Sequence, residues 1–334
     1  MAITARSVEL TYADGTRAMS GIDLDIPKGE FFGFLGPNGA GKTTAIKTFV
    51  TLLQPTAGSV IVNGFDVVHE ARAVRSSIGY MPQETSVDEE LTARENVQFA
   101  CETYGVPRRE RAERIDDLLY LVDLADVADK RPRGFSGGMK KRLDVATALV
   151  HEPPLVFLDE PTTGLDPRAR LRLWEYFREI NQQGTTVFLT TQYLEEADEL
   201  CDRLSVIQDG TVVATDSPDT LKAQVGGDVL DITLEAPDAE RRAHAQRVAC
   251  ESGLFEDGAI EATDEGIAIA SGHARQHGTD LLVALRDEGV PVTGFDIRSP
   301  TLDDVFLAIT GAPANEKTVE KDHLVDTVQT EVGR

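Results

Sequence analysis

Eight consecutive residues, Gly36-Pro37-Asn38-Gly39-Ala40-Gly41-Lys42-Thr43, have the spacing of a glycine-rich loop that wraps phosphates. Glycines leave the main chain free of Cβ atoms, so successive N–H groups can turn inward around an anion. A helix opening near Lys42 adds unpaired N–H groups and the positive end of its dipole. Lys42 then reaches the β- and γ-phosphates of a nucleoside triphosphate, and Thr43 offers its hydroxyl to Mg²⁺. The phosphate-binding set runs from Gly36 through Thr44. Kinases, GTPases and ATPases all use such a loop, so it names no reaction. Leu155-Val156-Phe157-Leu158-Asp159-Glu160 narrows the choice, because it is an apolar run ending in two adjacent carboxylates. On a strand these point to opposite faces and can take separate tasks. Asp159 is placed to hold Mg²⁺, and Glu160 to polarise an attacking water.

A third element, Phe135-Ser136-Gly137-Gly138-Met139, leads into a segment with Met139, Leu143, Ala146 and Val150 on one face. A serine cap and two glycines at a positive helix end make a second anion site; taken alone, they read rather as an ordinary cap.

The elements that must position these groups are legible in the pattern. Phe31–Leu35, Leu155–Leu158 and Thr186–Leu189 are short apolar runs without alternation, as expected of strands buried on both faces of a parallel sheet. Between them lie helix-period segments containing Ile46, Phe49, Val50 and Leu53, and Ile115, Leu118, Leu119 and Val122. Asn63-Gly64 and Asp209-Gly210 predict hairpin turns. Thr92 and Glu95 have capping-box spacing for a helix starting near Ala93. Residues 88–150 read as a helical insertion. After Gly226-Gly227 a βαββαβ order follows: strands near 229–234, 259–262, 267–270 and 292–298, helices near 238–252 and 274–288. That order predicts a small α+β unit of ferredoxin type. Leu302, Val305, Phe306 and Ile309 form one apolar helix face, expected to pack on that small unit, the other reading being a dimer or partner contact. The polar stretch 312–334 is expected to be a mobile tail.

The three motifs in this order resemble the ATP-binding subunits of ABC transporters, over most of residues 1–220. The family's Leu-Ser-Gly-Gly-Gln signature stands here as Phe135-Ser136-Gly137-Gly138-Met139. Tyr12 matches the aromatic residue that stacks on adenine. Gln83, in Gly79-Tyr80-Met81-Pro82-Gln83, matches the glutamine that senses Mg²⁺ and joins the core to the helical insertion. Gly164-Leu165-Asp166 matches the loop that crosses between protomers. The resemblance implies an α/β P-loop NTPase core at 1–222, an accessory unit at 226–311, and a homodimer clamping two ATP molecules. In that dimer the phosphate loop of one copy faces Ser136-Gly137-Gly138 of the other. A separate transmembrane permease is implied as partner.

One residue departs from the pattern. Most of the family has histidine at the end of the strand after the second carboxylate, where this chain has Gln192. Glutamine can donate a hydrogen bond to a γ-phosphate but cannot become cationic; its other reading is a cap for the following helix. The run Thr190-Thr191-Gln192-Tyr193-Leu194-Glu195-Glu196-Ala197-Asp198 and the ending Ser299-Pro300-Thr301-Leu302-Asp303-Asp304-Val305-Phe306-Leu307 resemble the daunorubicin-resistance type of drug-exporting ATPase.

Composition sets limits. There are 57 acidic against 33 basic residues, a net charge of −24, which repels phosphate backbones and argues against nucleic-acid binding. The excess resembles that of proteins from salt-accumulating organisms. Cys101, Cys201 and Cys250 have neither metal-ligand spacing nor the number for a disulfide framework. No stretch approaches the ~20 apolar residues of a membrane span, and the first residues lack a secretory apolar core. A cytoplasmic protein held at the inner membrane face by its permease is expected. The competing reading, a soluble ABC-type ATPase acting on DNA or ribosomes, meets the negative charge and the lack of a long coiled coil.

Overall fold

The computed structural model describes residues 1–224, 227–255 and 259–310; Gly226 and the expected tail at 312–334 lie outside them. The chain opens with β1 (Ile3–Thr11), β2 (Arg17–Ile26), β3 (Phe31–Leu35), α1 (Lys42–Phe49), β4 (Ala57–Val62), β5 (Phe65–Asp66), α2 (Ala71–Ser76) and β6 (Gly79–Met81). The helical insertion carries α3 (Ala93–Thr103), α4 (Arg111–Leu121) and α5 (Gly137–Ala148). Then come β7 (Leu155–Asp159), α6 (Pro167–Gln182), β8 (Thr186–Thr191), α7 (Leu194–Leu200), β9 (Arg203–Gln208), β10 (Thr211–Asp216) and α8 (Pro218–Gln224). The last part is β11 (Asp228–Leu234), α9 (Ala239–Glu251), β12 (Ala259–Ala262), β13 (Gly266–Ser271), α10 (Ala274–Asp287), β14 (Val292–Arg298) and α11 (Leu302–Thr310).

The predicted apolar runs become the centre of a six-stranded sheet ordered β10-β9-β3-β8-β7-β6, with β3, β8 and β7 buried along their whole length. All its pairings are parallel except β9 with β10, which the Asp209-Gly210 turn joins as a hairpin. A second, antiparallel sheet ordered β2-β1-β4-β5 covers one face, and the apolar side chains between the two sheets form one core. Within it Phe188 on β8 meets Phe34 at 5.7 Å and Phe49 of α1 edge-on at 5.6 Å. Such pairs add roughly 0.5–1.5 kcal/mol each beyond burial and fix the direction of α1, on which the phosphate loop depends.

The insertion packs on the other face of the large sheet in a second core that includes Met81, Val97, Leu119, Leu143 and Leu158. The α3 capping box forms as the spacing predicts: Glu95 N donates to Thr92 Oγ1 at 3.1 Å, and Thr92 N to Glu95 Oε2 at 2.7 Å.

The third sheet, β12-β13-β11-β14, is antiparallel throughout, with a core of its own, and has the split βαββαβ arrangement the sequence predicts. The apolar face of α11 corrects an expectation. Leu302, Val305 and Phe306 join the core that contains Leu200, Cys201 and Leu221, so α11 packs on α7 and α8 of the first part rather than on the small sheet. Arg298 at the end of β14 holds the start of α11, with Nη1 on Asp304 Oδ2 at 2.6 Å and Nε on Asp231 Oδ2 at 2.7 Å.

No helix among the described residues is long and apolar enough to cross a membrane.

Candidate nucleotide site

The Gly36–Thr43 loop leaves the C-terminal end of β3, the middle of the parallel sheet, and runs straight into α1. Ligands of open α/β sheets gather at this edge because helix N-termini and loops converge there. Gly41 takes φ 106°, and a Cβ on it would stand 2.4 Å from the Ala18 carbonyl oxygen, so only glycine lets the loop close against β2. A cavity of about 310 Å³ opens beside the loop, lined by Tyr12, Asn38, Gly39, Lys42, Thr43, Thr44, Gln83 and Glu160 among others.

Lys42 is 4% exposed, and its ammonium donates to the carbonyls of Gly36 at 2.7 Å and Pro37 at 3.1 Å. It also pairs with Glu160 Oε1 at 3.0 Å, and Glu160 is 5% exposed. The second Glu160 oxygen accepts from Gln83 Nε2 at 3.0 Å and from Thr163 Oγ1 at 3.4 Å. The sequence reading puts Asp159 and Glu160 on opposite faces of one strand. In the fold β7 ends at Asp159 and Glu160 turns out of it with φ 46°, in the left-handed region. A strained backbone of roughly 1–3 kcal/mol at such a point persists because the surrounding contacts determine it. That turn aims the carboxylate into the cavity.

Asp159 lies behind Thr43, whose hydroxyl donates to Oδ1 at 3.2 Å, and Thr190 Oγ1 donates to the same oxygen at 2.7 Å. Its other oxygen, Oδ2, is buried without a partner among the described residues. Burial pushes the Asp159 carboxyl above the usual carboxylate range, helped by the charge of Glu160 and opposed by the two threonine hydroxyls. A buried acid with an unpartnered oxygen beside a threonine hydroxyl has the donor chemistry of a hard cation site, so these residues fit Mg²⁺.

Tyr12 stands at the cavity mouth, 38% exposed, with its hydroxyl 3.0 Å from Thr44 Oγ1. Ala40 is buried and, with Gly36 and Pro37, shapes the loop from outside the cavity lining. Gln192 follows Thr191, whose carbonyl accepts from Gly36 N at 3.3 Å, so it stands beside the first residue of the loop. Its side chain does not cap α7, whose N-cap is Tyr193 without a side-chain bond.

Ser136, Gly137, Gly138 and Asp166 do not line this cavity. They stand instead where the starts of α5 and α6 approach each other. Ser136 caps α5 by accepting from Met139 N at 3.3 Å, and Asp166 caps α6 by accepting from Arg168 and Ala169 N at 3.0 Å. A Cβ on Gly138 would stand 2.9 Å from Ala169 Cβ, so the glycine lets the two helix starts touch. Ser136, Gly137 and Asp166 are exposed there.

Sequence reasoning missed Thr16, Arg17 and Ala18, which line the cavity from the end of the β1–β2 turn and the start of β2. It also missed Thr163 and Thr190, which hold the two carboxylates, and Glu196. Glu196 is fully buried, accepting from Thr162 Oγ1 at 2.9 Å and Trp174 Nε1 at 3.0 Å. Burial drives its carboxyl above the ordinary range. No local signal marks these residues, since strand pairing and helix docking bring them in.

Residues 19–163 match the ABC transporter family model. The chain is 44% identical over 311 residues to a daunorubicin resistance ATP-binding protein of Streptomyces coeruleorubidus, covering 93% of this chain and 96% of that protein. The chain belongs to the ABC transporter family. It is the ATP-binding, ATP-hydrolysing subunit of that family's architecture. Another ABC relative, the linearmycin resistance ATP-binding protein of Bacillus subtilis strain 168, is 33% identical, covering 92% of this chain and 98% of its own. Among solved ABC structures, a dimeric post-hydrolysis state of the cassette MJ0796 bound to ADP and Pi matches at 28% identity and TM-score 0.60. It covers 64% of this chain and 98% of that one.

Proposed function

We propose that this ABC subunit drives an exporter of drugs, lipids or other amphiphiles, as a homodimer with two ATP molecules between its copies and a separate permease in the membrane. The observation that carries the reading is the Gln83–Glu160–Lys42 network inside one cavity, with Ser136–Gly138 and Asp166 grouped on another surface of the same chain. A site whose signature residues stand outside its own cavity is completed by a second copy. The relatives named for daunorubicin and linearmycin resistance support export of amphiphilic compounds.

The roles follow from the geometry. Loop amides and Lys42 bind the β- and γ-phosphates, and Tyr12 offers its ring face to the adenine. Thr43, Gln83 and Asp159 would hold Mg²⁺, which supplies charge neutralisation at the phosphates. Glu160, aimed inward, takes the proton of the attacking water. A γ-phosphate reaching Lys42 competes with Glu160 for the ammonium, so substrate binding loosens the base from its ion pair. Ser136, Gly137 and Gly138 of the second copy donate to the same γ-phosphate, and Asp166 crosses beside them. ATP thereby holds the copies together, and its cleavage lets them part. The acidic surface fits work at high ionic strength, where salt screens its self-repulsion.

Gln192 donates one hydrogen bond to the γ-phosphate in this scheme. A bond to a charged group is worth about 1.5–3 kcal/mol, so Gln192→Ala lowers kcat by roughly ten- to a hundredfold. Unchanged steady-state turnover removes it from the catalytic set.

The function is tested by co-expression with a candidate polytopic permease of the same organism. The two copurify, and inverted vesicles holding both accumulate an amphiphilic drug only with hydrolysable ATP. Copurification with ribosomes or DNA instead overturns the exporter reading.

A further inference from the structure

The helix that starts at Ser136 also grips the loop that carries Gln83. Lys141, 9% exposed on α5, donates its ammonium to the Gln83 main-chain carbonyl. One turn on, Asp144, 1% exposed, accepts from Ser86 N at 2.9 Å and from the Ser86 hydroxyl at 2.7 Å. Lys140 pairs with Glu89 further along the same loop. Beyond Gln83 the chain of contacts continues, since its side-chain amide donates to Glu160 Oε2 and the other Glu160 oxygen pairs with Lys42.

Asp144 and Lys140 anchor the loop at Ser86 and Glu89. Lys141 alone acts at residue 83, whose side chain touches the carboxylate. Stranding a buried ammonium without a partner costs several kcal/mol, so the Gln83 carbonyl follows α5 when the helix moves. The geometry points to Lys141 as a positioning residue for Glu160: by fixing the main chain at Gln83 it sets where the amide holds the base. It thereby links the seating of Ser136–Gly138 at one end of α5 to the alignment of Glu160. Burial lowers the Lys141 pKa, against the raising charges of Asp144, Asp159 and Glu160. The inference rests on reading Glu160 as the base.

The test is a double-mutant cycle on the full-length protein, measuring MgATP turnover and KM for Lys141→Met, Gln83→Ala and the pair. A displaced base loses rate steeply with small shifts, so each single change lowers kcat about tenfold; KM stays within about twofold for Lys141→Met and rises for Gln83→Ala, which also removes a group that would hold Mg²⁺. Because Lys141 acts through Gln83, the double variant is no slower than Gln83→Ala. Effects that multiply to about a hundredfold, or a Lys141→Met protein with wild-type kcat, overturn the assignment. Should Lys141→Met fail to fold, Lys141→Gln, polar but uncharged, takes its place in the same cycle. Glu160→Gln is measured alongside: retained turnover there sinks the base assignment and with it the inference, whereas lost turnover with a multiplying cycle sinks only the role of Lys141.

Discussion

Lys42→Ala abolishes ATP hydrolysis and weakens ATP binding by at least about a hundredfold. Charge-assisted hydrogen bonds from an ammonium to phosphate contribute about 1.5–3 kcal/mol each, and in the proposed mechanism Lys42 reaches two phosphates. The substitution also leaves Glu160, 5% exposed, without the counter-charge that stands 3.0 Å away. Breaking a buried pair by removing one partner costs about 3–5 kcal/mol, so the variant melts at lower temperature as well. Equilibrium binding of a fluorescent ATP analogue separates the two effects, provided circular dichroism shows the variant folded at the assay temperature. Undiminished affinity in folded protein would mean that the phosphates bind elsewhere.

Glu160→Gln has the opposite signature, lost chemistry with retained binding. Removing a general base costs typically 10²–10⁴-fold in rate, so turnover falls into that range. Glutamine has the shape of glutamate, so the bond from Gln83 has an acceptor still, while Lys42 loses its ionic partner and is released toward the phosphates. ATP affinity therefore holds or rises. Because cleavage opens the sandwich in this mechanism, the variant accumulates as a dimer in MgATP and returns to monomer when nucleotide is removed. Size-exclusion chromatography with light scattering reads this directly, and a monomer at saturating MgATP counts against the clamp.

Much of this was legible in the residues because the signals are local. The Gly36–Thr43 loop lies between an apolar run and a helical period, and the fold places it between β3 and α1. The βαββαβ order of the last part follows from strand and helix periods, and β11 to β14 fall within a residue or two of their expected bounds. Asn63-Gly64 takes positive φ at both residues, as a two-residue hairpin demands. What escaped the sequence depends on contacts between distant segments. The left-handed turn at Glu160 is set by its neighbours; glutamate has no preference for it. The apolar face of α11 announces that it must be buried but not where, and it found Leu200 and Leu221 of the first part. The grip of Lys141 on Gln83 crosses 58 residues of chain. On a helix of mixed charge, Lys141 reads as one more solvated lysine.

A crystal structure of Glu160→Gln grown with ATP and magnesium tests the nucleotide site most directly. The γ-phosphate is expected on the Lys42 ammonium, the metal between Thr43 and Asp159, and Ser136–Gly138 of a second copy closing the far side. A triphosphate held away from the Gly36–Thr43 amides, or a metal that ignores Asp159, would contradict this arrangement.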